Sequence, residues 1–211
     1  KPGAEKNDAA VQPMKQCACV LAVLFVVSAC SAMRPALGPS ADWQERRNRL
    51  SELSSWQFRG RIAVRYQSRG EQGNLSWRQT GAQSTIQISG PLGTGAYQIL
   101  WQPGSVTVIN RDGELQLSYS GPDAAEQFLY DQLGWSFPAS STRYWLLGTL
   151  DPRYQGRELF DANGLLTGLE QNGWTVSYQR FIGKGDLLLP GKLGIEKANA
   201  RLRLAIDSWD F

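Results

Sequence analysis

The chain has 211 residues, 22 Lys and Arg against 19 Asp and Glu, a net charge of +3 and no histidine. Without imidazole there is no Ser-His-Asp or Cys-His nucleophile system and none of the commonest metal ligand, and the near balance of charge gives no argument for nucleic acid as a partner. No G-x-S-x-G, Walker A or G-x-G-x-x-G pattern occurs; Gly93-Thr94-Gly95 stops one glycine short of the last.

Lys1 to Pro13 carry no hydrophobic pattern and read as an upstream extension, residues 1–13. Met14-Lys15-Gln16 then gives a short positive start, and Cys17 to Val27 is an uncharged apolar run of eleven residues. That is the layout of a secretory signal over residues 14–29, since a membrane span needs about 20 residues. The run ends in Val27-Ser28-Ala29-Cys30. A Cys directly after small residues is where bacterial lipoproteins are cut and acylated, so Cys30 is the expected lipidation site and first mature residue. One acyl chain holds a protein to a membrane only marginally, whereas two or more hold it stably. Ser31 follows, where an Asp would signal inner-membrane retention, so the expected location is the outer membrane. Cys17 and Cys19 leave with the signal, which leaves no partner for an internal disulfide.

Residues 30–41, rich in Pro, Gly and small side chains, read as a flexible tether, and residues 42–211 suit one domain. Asp42 to Ser54 is a helix candidate, with Trp43, Leu50 and Leu53 at near-helical spacing. The period then becomes two. Trp56, Phe58, Ile62, Val64 and Tyr66 alternate with Gln57, Arg59, Arg61, Arg65 and Gln67, as in a strand with one dry and one wet face. Strands are predicted next at Leu75–Gln79, Thr85–Ser89, Ala96–Trp101, Val106–Ile109 and Glu114–Tyr119, with Pro103-Gly104 and Asp112-Gly113 at hairpin positions. A helix follows between Asp123 and Gly134, and a short amphipathic piece, Tyr144 to Leu147, ends at Gly148. Strands resume at Arg157–Phe160, Leu165–Gln171, Trp174–Phe181, Asp186–Leu189 and Arg201–Trp209, with the turn Asn172-Gly173 between two of them.

The pattern predicts a mainly β (α+β) fold: an unclosed antiparallel β-barrel or strongly curved sheet of about ten strands, covered by about three short helices. Such a sheet is wide enough to enclose an apolar ligand if side chains do not fill it. Trp77, Trp101, Trp145, Trp174 and Trp209 serve equally well as ordinary core or as cavity wall. A carboxylate pair drawn from Asp123, Glu126, Asp131, Asp151, Glu158 and Asp161 would suit a lipid-anchored hydrolase, but their spacing does not distinguish a pair from surface charges. A structural envelope-assembly lipoprotein is a further alternative.

Between two predicted strands lies Gly90-Pro91-Leu92-Gly93-Thr94-Gly95. Pro91 fits the second position of a type I turn, which accounts for the turn but not for Leu92 at its tip. A single exposed Leu is ordinary on a protein surface; the functional alternative is a hydrophobic finger that touches a bilayer or an acyl chain.

With this loop the chain resembles the LolB family of outer-membrane lipoprotein receptors. The features that carry the resemblance are the acylation motif, the strand meander, Pro91-Leu92-Gly93, Trp145 to Gly148 (Trp-Leu-Leu-Gly), Asn172-Gly173 with Tyr178, and the terminal Asp207-Ser208-Trp209. The residues before Met14 and the Cys pair in the apolar run depart from the family. The resemblance implies an unclosed barrel capped by helices that takes lipoproteins from the periplasmic carrier LolA and places them in the outer membrane. It implies that Pro91, Leu92 and Gly93 form the insertion loop, with Leu92 acting at insertion rather than at uptake. The expected partners are LolA, acylated cargo and outer-membrane lipid, for a monomer facing the periplasm. No catalytic residue, metal or cofactor is expected. The expected cavity wall is Phe58, Ile62, Val64, Tyr66, Ile88, Ile99 and Trp101.

Overall fold

Alternating apolar and polar positions, repeated strand after strand, build the sheet that dominates the molecule. The computed structural model describes residues 41–90 and 95–211. The expectations for residues 1–13, the signal at 14–29, Cys30, the tether before Ala41 and Pro91-Leu92-Gly93 lie outside the described residues.

The first helix, α1 (Ala41–Glu52), leads into β1 (Ser55–Tyr66), β2 (Arg69–Thr80), β3 (Gln83–Ser89), β4 (Tyr97–Gln102), β5 (Ser105–Asn110) and β6 (Leu115–Ser120). Two helices follow, α2 (Ala124–Leu133) and α3 (Ala139–Leu147). The chain then forms β7 (Gly156–Phe160), β8 (Leu166–Gln171), β9 (Trp174–Lys184), β10 (Leu187–Lys197) and β11 (Ala200–Asp210). All eleven strands join one sheet in the order β6-β5-β4-β3-β2-β1-β11-β10-β9-β8-β7. Two meanders are thus sewn together by the antiparallel pairing of β1 with β11, Phe58 opposite Trp209 and Val64 opposite Leu202. The edges, β6 and β7, do not pair with each other, and the barrel stays open.

Turn chemistry follows the residues. Asn172 and Gly173 both have positive φ, 53° and 74°, as the type I′ hairpin requires. Gly134 ends α2 in the left-handed region at φ 75°, its N–H donating to the Tyr130 carbonyl.

Three predicted elements prove longer. Helix α3 starts at Ala139, five residues before the predicted Tyr144, and β2 extends back to Arg69 through a polar stretch. Strand β10 runs on to Lys197 through Pro190-Gly191, which reads as a break in the sequence. The register shifts at that point, and the carbonyls of the irregular segment are taken up by side chains. Trp209 Nε1 donates to the Pro190 carbonyl at 2.8 Å and the Arg180 guanidinium to that of Gly191 at 3.1 Å. A bulge of this kind is how a Pro is accommodated within a sheet.

The pairing registers put the 67–68, 111–114, 172–173 and 198–199 connections, with Gly90 and Ala96, at one end of the sheet and the 81–82, 103–104, 161–165 and 185–186 turns at the other. Helix α1 packs at the second end, where Trp43 meets Phe160 edge-on at 5.6 Å and Arg49 lies 3.6 Å from Asp186. Helices α2 and α3 cover the concave face. Under α3, in the half built from β7 to β11, Trp145, Leu146, Leu166, Leu169, Leu189 and Ile195 are fully buried. No helix of the described residues is long and apolar enough to cross a membrane.

At Gly60 the β1–β11 register shifts, and a Cβ there would lie 2.3 Å from the Ala205 carbonyl oxygen. Because the obstacle is backbone, it cannot turn aside. Gly60→Ala should therefore destabilise the fold by roughly 1–3 kcal/mol, as overpacking does, read as a lower midpoint in urea unfolding with the slope unchanged; an unaltered midpoint contradicts the close approach.

Candidate functional site

Below α2, the concave face of β1 to β5 and β11 does not fill. A hollow of about 100 Å³ remains, lined by Ile62, Leu75, Trp77, Ile86, Ile88, Ile99, Trp101, Val106, Leu202 and Leu204 from the sheet. Ala125, Phe128 and Leu129 of α2, Phe137, and Ala139, Thr142 and Leu146 of α3 close it. Thr142 is the one polar residue of the wall, and its hydroxyl donates to the Pro138 carbonyl at 3.1 Å. A dry cavity of roughly 150 Å³ holds a benzene ring. The hollow as it stands therefore admits a few methylene groups, and a whole acyl chain requires it to widen.

A second, wider cleft of about 880 Å³ opens at the end of the sheet that carries Gln67, Ser68, Gly90 and Gly95. Ile62 and Ile88 belong to both spaces, so the cleft is the natural approach to the hollow. Its wall is mixed: Val64, Tyr66, Leu133 and Trp135 supply apolar surface, and Arg69, Glu71, Gln72 and Gln132 supply polar groups. Gly90 and Gly95, which flank the expected insertion loop, also line it.

Of the expected cavity wall, Ile62, Ile88, Ile99 and Trp101 line the hollow. Val64 and Tyr66 do not; they sit at the cleft, with Tyr66 stacked on Trp135 at 6.0 Å. Phe58 is also corrected. It lies in solid core, 5.1 Å from the Trp209 ring and 6.1 Å from that of Trp56. One strand face runs through packed core, hollow and cleft in turn, and alternation marks the face but not the depth. Among the tryptophans, Trp77 and Trp101 reach the hollow, while Trp145, Trp174 and Trp209 are core. The α2 contribution of Ala125 was missed because a small side chain gives no hydrophobic signal, although it is what leaves the space open.

The two covering helices are held differently. Trp145 of α3 donates through Nε1 to Gln171 Oε1 at 2.9 Å and accepts from the Tyr178 hydroxyl at 2.7 Å. Gln171 Nε2 donates in turn to the Asp151 and Tyr154 carbonyls. Ser141 donates to the buried Asp151 carboxylate at 2.7 Å, which also receives Arg153 through Nε at 3.0 Å and Nη2 at 2.7 Å. At the far end of α3, Arg46 of α1 donates to the Leu147 carbonyl at 3.1 Å and to that of Leu188, with its guanidinium 4.2 Å from the Trp43 ring. Burial pulls its pKa down to about 10, against the opposing fields of Tyr178 and Glu158, so it stays charged at neutral pH. Helix α2 has no comparable network. The Tyr119 hydroxyl donates to Asp131 at 3.0 Å, and the Ser140 N–H to Glu126 at 3.4 Å. The rest of its hold is apolar packing.

Five of the six carboxylates of the hydrolase alternative are engaged in hydrogen bonds or ion pairs. Asp151 is paired with Arg153, Glu158 lies 3.2 Å from Arg47, Asp161 accepts the Asn163 and Leu165 N–H groups of its turn, and Asp131 and Glu126 bond as above. Asp123 stands at the start of α2. No group of three or more His, Cys, Asp or Glu among the described residues could hold a metal.

The family model described as outer membrane lipoprotein LolB matches residues 54–209. The chain belongs to the LolB family. Among its relatives, the outer-membrane lipoprotein LolB of Nitrosococcus oceani is 35% identical, over 93% of this chain and 98% of that protein. Those of Pseudomonas aeruginosa strain PAO1 and Pseudomonas syringae are 31% and 29% identical, over 82% and 90% of this chain and 82% and 93% of theirs. The chain thus belongs to a family of outer-membrane lipoproteins. Its fold is shared with a DUF1329 family protein from Desulfovibrio piger, at TM-score 0.50, 7% identity and coverage of 83% and 94%. A LolA superfamily protein from Nitrosomonas europaea superposes at TM-score 0.49, with 12% identity and coverage of 80% and 92%.

Burial acts to raise the pKa of Asp151, but hydrogen bonds from the Arg153 side chain and N–H and from Ser141 outweigh it, and the net shift is downward. A carboxyl depressed in the folded state contributes stability that is present above its unfolded pKa, about 3.9, and lost as pH falls through the folded value. Asp151→Asn should therefore be destabilised most at neutral pH, with the gap to the parent narrowing below about pH 4; a gap independent of pH in thermal unfolding speaks against the ion pair.

Proposed function

We propose that the chain, anchored in the outer membrane through the acylated Cys30 and facing the periplasm, accepts lipoproteins from the soluble carrier LolA and inserts them into that membrane. The single observation that carries this is the apolar hollow between the curved sheet and α2. Triacylated cargo exposed to water costs about 0.8 kcal/mol per methylene, so a protein that receives it must offer a dry space. Support also comes from the family and from the wider cleft that leads to the hollow.

The sequence holds no nucleotide-binding pattern, and transfer runs downhill in affinity, each 1.4 kcal/mol giving about tenfold. Cargo enters through the cleft, its acyl chains passing Ile62 and Ile88. The loosely held α2 moves outward to widen the hollow, while α3 stays on its polar network. Leu92 then acts at release, disturbing the headgroup layer.

Two variants test separate steps. Ala125→Leu places three more carbons where the hollow lies, so the thermal midpoint should hold or rise while affinity for an acylated peptide falls by roughly 2 kcal/mol, or about thirtyfold; undiminished binding removes the hollow from the account. Leu92→Glu should take cargo from LolA at the parental rate and fail to pass it to liposomes, and normal delivery would remove the loop.

A further inference from the structure

The convex face of the sheet carries a charge pattern that the hand-over does not use. On the central strands β10, β11 and β1, the outward positions hold Lys192, Arg201, Arg203, Arg59, Arg61 and Arg65, all exposed. Register makes them one patch, with Arg65 directly opposite Arg201, Ala63 opposite Arg203, and Arg61 and Lys192 both opposite Ala205. With strands about 4.8 Å apart and about 3.3 Å per residue, it covers roughly 10 by 20 Å. Two acids of this face answer it: Glu196 lies 2.7 Å from Arg201 and Asp207 3.5 Å from Arg61. Asp210, bonded to Lys184 at 2.9 Å, adds its field beside Arg59 at the far edge.

Two features set this patch apart from an ordinary solvated face. Like charges directly opposite across a strand pair destabilise a sheet, so the Arg65 and Arg201 pairing costs stability. Between the cations stand Ala63, Ala205 and Gly194, whose small size leaves the charged side chains standing above the strands, and a recess of about 550 Å³ opens at the Arg59 and Asp207 edge of the patch. Dispersed cations of this kind match the delocalised negative charge of a layer of headgroups.

We infer that this convex face docks on the anionic headgroups of the bilayer that holds the anchor, turning the hollow on the opposite face away from the membrane. The inference rests on the proposed anchoring through Cys30. Ten residues separate Cys30 from Ala41, and eleven steps of at most about 3.6 Å keep the start of α1 within roughly 40 Å of the bilayer. Each Lys or Arg near an anionic surface contributes about fivefold in affinity, and the attraction fades beyond a Debye length. The tether lets the domain reach that layer, and within it a few unpaired cations suffice to set orientation. The docked state is the receiving state, with α2 and the hollow presented to the periplasm, and delivery requires the domain to roll off this face.

The test uses the full lipidated protein in nanodiscs of phosphatidylcholine alone or mixed with phosphatidylglycerol, with a dye on the Ala63→Cys variant at the centre of the patch and a nitroxide-labelled lipid as quencher. Quenching is expected in the mixed discs, weak in phosphatidylcholine, and reversed by salt. Combining Lys192→Glu, Arg203→Glu and Arg65→Glu should lower the docked fraction relative to the undocked by on the order of a hundredfold. The thermal midpoint of that variant should hold or rise, because Arg65→Glu places a carboxylate opposite Arg201, so lost quenching in a folded protein reports docking. Equal quenching in both lipids, or none in discs that carry the protein, overturns the inference, as does protection of the dye by polyglutamate but not by discs, which would assign the face to an acidic protein. Failure of the protein to co-purify with the discs overturns the anchor itself, a distinguishable result.

Discussion

The constraint on which this molecule depends is an antiparallel sheet of eleven strands that is apolar on one face and has too few helices to fill the curve it makes. A right-handed twist bends so long a sheet toward a barrel, but the unpaired edges β6 and β7 leave it open. Helices α2 and α3, of ten and nine residues, must then cover the whole concave side. Where α3 meets β7 to β11, large side chains interdigitate to solid core; where the small Ala125 of α2 faces β1 to β5, they do not meet, and the hollow remains. The functional space is thus a packing deficit placed at one site.

A deficit of about 100 Å³ is modest, and its significance comes from how its walls are held. Removing a partner from a buried polar network leaves unsatisfied groups and is costly. Trp145, Gln171, Asp151, Arg153 and Tyr178 form such a network, so α3 and the chain after it behave as part of the sheet. Apolar packing is non-directional, and α2, which relies on it, slides at far smaller cost. The proposed widening therefore has one mobile wall and one fixed one, with the cleft beside the mobile wall.

The strand period of two serves both faces at once. On β1, Ile62 and Val64 point toward the sheltered side while Arg61 and Arg65 point outward, and β11 does the same with Leu202 and Leu204 against Arg201 and Arg203. The strands that contribute apolar wall thereby carry the cations of the convex face. The proposed acyl binding and bilayer docking thus fall on opposite faces of one sheet, and a domain docked on one face would present the other.

The sequence by itself determined the strand positions, the turn at Asn172-Gly173, the stop of α2 at Gly134 and which face of each strand is dry, because periodicity and turn chemistry are local properties of the chain. It also carried the family, through short motifs that persuade only in combination. The ends of β10 and α3 were not legible, since Pro190-Gly191 breaks the local pattern and is rescued by the distant Trp209 and Arg180. Only the tertiary structure decided that Phe58 is core, Ile62 is hollow and Tyr66 is cleft, although all three occupy equivalent positions of one strand. Depth beneath a curved sheet depends on what the opposing elements bring, and a small residue on a remote helix leaves no trace in the strand it faces.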